Sequence, residues 1–185
     1  MMRWVSGGVT AARGFAASGI AAGIKPSHRP DLALVVSAGP AAAAGVVTVN
    51  RVKAAPVEIS LRRLARGVAR AVLINSGCAN CLTGAAGLQD ARRLGHAVAQ
   101  ALGLSDRDML LASTGLIGPR LPVTRVQRAI PRLVASLSRA HHREAAWAIL
   151  TTDRRPKEAA VKASIGGRTF HIGGMAKGAG MIAPS

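Results

Sequence analysis

The sequence predicts a mixed α/β domain over residues 1–185, and three features predict it. Short, unbroken apolar runs rich in Val, Ile and Leu recur along the chain, the pattern of strands buried on both faces. Between them lies a long stretch with apolar residues at three-and-four spacing, the pattern of an amphipathic helix. Neither an internal repeat nor a linker divides the chain, and 185 residues suffice for one domain with a real core. Hydrophobic residues make up 49% of the chain, which excludes disorder; aromatics make up 2%, so Ala, Val, Leu and Ile must build the core.

Val5 to Gly23 is glycine-rich and reads as an extended or looped lead-in. Asp31 to Ser37 is a short β-branched run, a buried strand that Gly39-Pro40 is expected to break. Gly45 to Asn50 reads as a second strand, and Pro56 to Ala65 as a short helix with an arginine face. Arg70 to Asn75 is a third strand of the fully buried type. A polar loop from Asn75 to Gly84 leads into the clearest element, a helix with Leu88, Ala91, Leu94, Val98 and Leu102 on one face and Gly103 as its stop. Met109 to Ala112 reads as a strand ending in a Ser113-Thr114-Gly115 turn. Val123 to Leu137 is helical, with Pro131 expected to kink or split it, and Arg143 to Ile149 is a short helix. Ala159 to Ile165 and Arg168 to Ile172 form a hairpin across Gly166-Gly167. The last thirteen residues hold four glycines and one ionised side chain, Lys177, an unusually apolar chain end. Glycine favours close approach, so this segment suggests a charge held beside a bound group; a flexible glycine-rich tail is the plainer reading.

The net charge is +17, from 25 basic and 8 acidic residues. Such a balance suits a basic nucleic-acid- or anion-binding module. The arginines are scattered, however, and the aromatic platforms that single strands stack on are nearly missing. No apolar run is long enough for a membrane span, and Met1 to Gly14 does not read as a secretory signal. Two cysteines argue against a disulfide scaffold and for a reducing cytoplasm.

Individual motifs say little alone. Cys78 and Cys81 lack the second ligand pair of a structural zinc site, so they read as incidental loop thiols and no metal is expected. His141 and His142 are adjacent, face different ways on a helix, and read as exposed. A small turn at Ser113-Thr114-Gly115 can aim a hydroxyl and a backbone N–H at one point, as an oxyanion hole does, though the same residues are ordinary turn chemistry. Thr151-Thr152-Asp153 is a turn with hydroxyls. No Ser-His-Asp set or paired carboxylates assemble from these acids, so the residues supply no nucleophile.

Seven segments carry more in order than apart: Gly7-Gly8-Val9-Thr10 with Gly14-Phe15; Asp31-Leu32-Ala33-Leu34; Ala54-Ala55-Pro56-Val57; Asn75-Ser76-Gly77-x-Ala79-Asn80 with Thr83-Gly84; Ser113-Thr114-Gly115-x-Ile117-Gly118; Thr151-Thr152-Asp153 with Pro156-Lys157; and Gly173 through Gly178 with Gly180-Met181-Ile182-Ala183-Pro184. Together they cover nearly the whole chain. The sequence resembles the α chain of the bifunctional ornithine acetyltransferase / glutamate N-acetyltransferase family of arginine biosynthesis.

The resemblance implies layered mixed sheets packed by helices, a self-processing fold completed by a β chain from the same precursor. It implies a precursor that cuts itself at an Ala-Thr bond just after the Ala-Pro segment. The new N-terminal threonine would be the nucleophile, its own α-amine serving as base. Acetyl would pass from N-acetylornithine to glutamate through that threonine, with acetyl-CoA a second candidate donor and no other cofactor. Thr114 and Gly115 match the oxyanion-hole pair, hydroxyl and N–H respectively, and Lys177 matches a substrate-binding lysine. The chain departs from the pattern at Arg154, where the family usually has a threonine that holds substrate, and in carrying two cysteines in the Asn-Ser-Gly loop. It stops at Ser185, before the expected Met-Ala-Thr, so it is expected to be a trimmed α chain or a fragment, inactive alone. The expected setting is a cytoplasmic heterotetramer of paired α and β chains.

Overall fold

The apolar runs assemble into two sheets. The computed structural model describes residues 2–178. In chain order these form β1 (Met2–Trp4), a 3-10 turn (Gly8–Thr10), β2 (Phe15–Ile20), β3 (Leu32–Ala42), α1 (Ala55–Leu64), β4 (Val68–Cys78) and α2 (Gly84–Leu102). Then follow β5 (Met109–Leu116), α3 (Val123–Ala135), α4 (His142–Ala148), β6 (Lys157–Ile165) and β7 (Arg168–Ala176). One sheet has the order β2-β3-β4-β5, antiparallel except for the parallel β4/β5 pair; the other is antiparallel, with order β1-β6-β7. A mixed α/β fold is therefore observed.

Side chains alternate across a strand, and β3 shows why its sequence has no polar alternation. Leu32 and Leu34 enter one core with Leu73, Met109 and Leu111, under Leu94 and Val98 of α2 and Val126 and Leu133 of α3. Ala33 and Val35 enter the other core with Ala17, Ala145, Ala148, Ile149 and Leu150, and Met175 of β7 packs against it. Each buried Leu contributes roughly 1.5–3 kcal/mol. The α4 helix covers β2 and β3, and the 3-10 turn at Gly8–Thr10 touches β2, β6 and β7, joining the two sheets.

Several expectations are corrected. The lead-in holds a real strand, β2, paired along its length with β3. Gly39-Pro40 does not end β3; the register shifts between Val36 and Ala41, and such a bulge admits a proline that has no N–H for the ladder. Gly45 to Asn50 is irregular, with Val46 and Val49 fully exposed. Both edges of β3 are already taken by β2 and β4, so β-propensity there finds no partner. Ser113, Thr114 and Gly115 are strand, not turn, because their ladder with Asn75, Ser76 and Gly77 runs on past the apolar residues. The α3 helix passes Pro131 unsplit. His141 and His142 are half-buried: His141 Nδ1 lies 2.6 Å from the Ser136 carbonyl oxygen and His142 Nδ1 lies 2.8 Å from Glu158 Oε2.

Candidate functional site

The parallel β4/β5 pair ends in a close approach. Gly115 has φ of 130°, a region side chains disfavour, and a Cβ there would stand 2.3 Å from the Gly77 carbonyl carbon. Glycine at this register brings the two backbones together beside Thr114. Below the corner, Ser113 Oγ donates to Asn75 Oδ1 at 2.5 Å and Asn75 Nδ2 donates to the Cys78 carbonyl at 2.8 Å. Ser76 Oγ donates to the Ala148 carbonyl at 2.5 Å, tying α4 to the same strand end. Buried polar groups satisfied in this way hold one geometry.

Lys177 follows β7, 63 residues later in the chain, and its Nζ donates to Thr114 Oγ1 at 2.7 Å. Two sequence-predicted residues thus meet, from different sheets. A hydroxyl that accepts from an ammonium still has its own proton to donate, and an ammonium that uses one of its three N–H groups keeps two. The corner can therefore offer a hydroxyl donor and a cation to one ligand.

Arg154 stands apart from that pair, on a cavity of about 700 Å³ between the β2–β3 loop and the segment after α4. Lys25, Arg29, Trp147, Thr151 and Asp153 share its walls. Two contacts link cavity and corner. Lys25 packs where a Cβ on Gly77 would stand, with its Cγ 3.0 Å from that point. Asp153 Oδ1 accepts from the Gly178 N–H at 3.0 Å, one residue beyond Lys177. Burial pushes the Lys25 ammonium pKa down, against the pull of Asp31. The hydrogen bond from Lys157, helped by the Gly178 N–H, holds the Asp153 carboxyl below its ordinary range despite burial.

Sequence reasoning missed several contributors. Asp31, fully buried, accepts from the N–H groups of Ala22, Ile24 and Lys25 at 2.6, 2.7 and 2.9 Å and so shapes the loop that carries Lys25. Its signals were an acid directly before an apolar run and a place in the Asp31-Leu32-Ala33-Leu34 segment, neither of which pointed to a loop anchor. Asp153 and Lys157 stood four apart, the spacing of a pair within reach, yet were read only as motif letters. Cys78 is buried at the end of β4, its Sγ 3.2 Å from the Pro119 carbonyl; both thiols are free, and no cluster of three or more potential metal ligands occurs among the described residues. Residues 179–185, expected to pack near the site, lie outside the described residues.

A profile of the ArgJ family matches residues 16–185. The chain belongs to the ArgJ family. An arginine biosynthesis bifunctional protein ArgJ from Gloeobacter violaceus is 52% identical across 98% of this chain and 45% of that protein. A crystal structure described as ornithine acetyltransferase complexed with ornithine, from Mycobacterium tuberculosis, superposes with a TM-score of 0.94 at 45% identity, covering 100% of this chain and 99% of that one. A Bacillus halodurans ArgJ crystal structure gives a TM-score of 0.93 at 35% identity over 100% and 97%. The fold is thus the ArgJ fold, and the chain spans about 45% of the length of the curated ArgJ relatives it matches.

Proposed function

We propose that the chain is the α part of an ArgJ acetyltransferase of arginine biosynthesis, moving acetyl from N-acetylornithine to glutamate through a threonine on a β chain. The observation that carries this reading is the Lys177–Thr114 contact, which joins the candidate cation and the candidate oxyanion donor in one corner of a family fold. The relatives support a split precursor: this chain matches 97–99% of two crystallised ArgJ-like chains but about 45% of a curated ArgJ protein.

In the proposed reaction the β-chain threonine Oγ attacks the acetyl carbonyl of N-acetylornithine, its proton passing to its own α-amine. The carbonyl oxygen becomes an oxyanion held by the Thr114 hydroxyl and the Gly115 N–H. The C–N bond breaks, ornithine leaves with the proton on its amine, and an acetyl ester remains on the threonine. The glutamate amine attacks that ester, the C–O bond breaks to give N-acetylglutamate, and the proton lost by the glutamate nitrogen passes through the α-amine to the threonine Oγ. The free N–H groups of Lys177 pair with the substrate carboxylate, and Arg154 supplies a second cation at the cavity in place of a hydroxyl. Acetyl-CoA is a second candidate donor for the same ester route.

The β chain also has a surface to meet. On the outer side of β1-β6-β7 the register aligns Trp4, Val161 and Ile172, with Ala159 beside Gly174 and Ala163 beside Phe170. Trp4 is 75% and Ile172 60% exposed, an apolar face on a strongly basic chain. The test is co-expression with the downstream coding segment, then a transfer assay with N-acetylornithine and glutamate. Transfer by the two-chain complex is expected; none from a fully split, folded complex overturns the reading.

A further inference from the structure

The segment that carries Lys177 is gripped from both sides just beyond it. The Gly178 N–H donates to Asp153 Oδ1 at 3.0 Å, and Lys157 Nζ donates to the Gly178 carbonyl. The same Lys157 ammonium donates to Asp153 Oδ1, so acid, amine and peptide unit close one ring of hydrogen bonds. Lys157 opens β6 and pairs in register with Ala176, the last residue of β7, which sets the gripping side chain next to the peptide it holds. Asp153 has a side chain only 1% exposed, so the grip is anchored in the interior rather than in solvent. Gly178 has φ of 136°, a backbone that a side chain would strain, so the gripped peptide sits at a position that favours glycine.

We infer that Asp153 and Lys157 are positioning residues: they clamp the Gly178 peptide and thereby seat the Lys177 ammonium on the Thr114 hydroxyl. The inference rests on the proposed acetyl transfer for its kinetic consequence. Without the clamp, one backbone residue next to Lys177 regains its torsional freedom, and a flexible four-carbon side chain no longer reaches Thr114 reliably. A seated ammonium does two things for Thr114. It occupies the oxygen lone pair that faces it, leaving the hydroxyl proton free for the oxyanion, and it strengthens that proton as a donor. Both matter most when charge develops on the substrate oxygen, so the loss belongs in kcat.

The clamp is tested in the two-chain complex with Lys157→Met and Lys157→Arg, alone and on a Thr114→Ala background. Lys157→Met is expected to lower kcat about tenfold, with a smaller rise in KM because the unseated Lys177 ammonium also pairs with the substrate carboxylate. Lys157→Arg should recover most of that loss, since a longer cation still reaches the carbonyl and the carboxylate. On the Thr114→Ala background Lys157→Met should cost no more than about twofold further, because residues acting through one another are not additive. Multiplying losses, or an effect confined to KM, would overturn the inference. Hydrogen exchange of the Gly178 amide in Asp153→Asn reads the clamp without turnover: faster exchange supports it, and unchanged exchange overturns it. If the unmutated complex transfers no acetyl, the proposed function falls, and the exchange measurement alone decides the clamp.

Discussion

In the four-stranded sheet, β3 buries both faces, one toward the core under α2 and α3 and the other under α4, while β4 buries one face and half-buries the other. In the three-stranded sheet the described residues cover the inner side, where Ala160 is buried and Met175 meets the second core, while Trp4, Val161 and Ile172 line the outer side. Both sheets carry apolar side chains; the first buries most of them, whereas the second leaves Trp4 and Ile172 largely exposed among the described residues. A residue buried here contributes to the folding of the chain itself, whereas one on the outer face contributes only where something else covers it. The candidate site joins the two sheets, Thr114 on the first and Lys177 just beyond the second.

The comparison breaks most sharply under a pair of substitutions. Leu34→Ala empties a fully buried position and is expected to cost about 2–5 kcal/mol in urea unfolding of the chain. Ile172→Ser is expected to change the isolated chain by no more than about 0.5 kcal/mol, as exposed positions do, while weakening association with the β chain. Equal losses in both variants would mean that the outer face is already covered within the chain.

That contrast also marks what the sequence made legible. The unbroken run of β3 and the three-and-four spacing of α2 announced the first sheet, because residues buried on both sides must be apolar throughout. The β4 strand was expected to be fully buried too, but Arg70, Val72 and Ile74 on one of its faces are only half-buried. Val46 and Val49 looked just as strand-like and are exposed, because pairing depends on a free sheet edge that no local pattern encodes. At the candidate site, Thr114 and Lys177 each stood out weakly, as a small polar stretch after a strand and as a lone charge among glycines, and only the ordered family motifs gave them roles. Their contact spans 63 residues, and Asp153, which holds the neighbouring peptide, lacked any local sign of burial.

Within the site, the first sheet's contribution should exceed the second's. Thr114→Ala in the two-chain complex is expected to lower kcat by roughly 10²-fold or more with a smaller change in KM, as loss of an oxyanion donor does. An effect on KM alone would make Thr114 a ground-state contact. Lys177→Met removes the second sheet's cation while keeping most of the volume. Steady-state kinetics should show KM for N-acetylornithine and glutamate raised about ten- to a hundredfold, the cost of one charge-assisted bond. A fall in kcat should accompany it, since Thr114 loses its ammonium. Self-cleavage of the precursor, which needs no substrate carboxylate, should survive better than turnover. Unchanged KM and kcat would place Lys177 outside the site.

The smallest expected effect concerns acid. The Asp153 carboxyl lies below its ordinary value of 3.8, chiefly through the Lys157 hydrogen bond. A carboxyl whose pKa is depressed by folding adds stability above its unfolded value and loses it as pH falls through its folded value. The stability difference between the wild-type complex and Asp153→Asn should therefore be constant from pH 7 to about pH 5 and shrink below about pH 4. Lys157 is half-exposed, so solvent screening keeps that difference modest. The shared loss should also appear as faster exchange at the Gly178 amide of the wild type in acid, approaching that of Asp153→Asn, after correction for the intrinsic pH dependence of exchange. Urea unfolding midpoints measured in half-unit steps from pH 7 to pH 3 check this. A difference that grows toward low pH would mean that the Asp153 carboxyl is penalised by burial more than it is held by its partners, and the second sheet's last strand would then be anchored by β6 pairing alone.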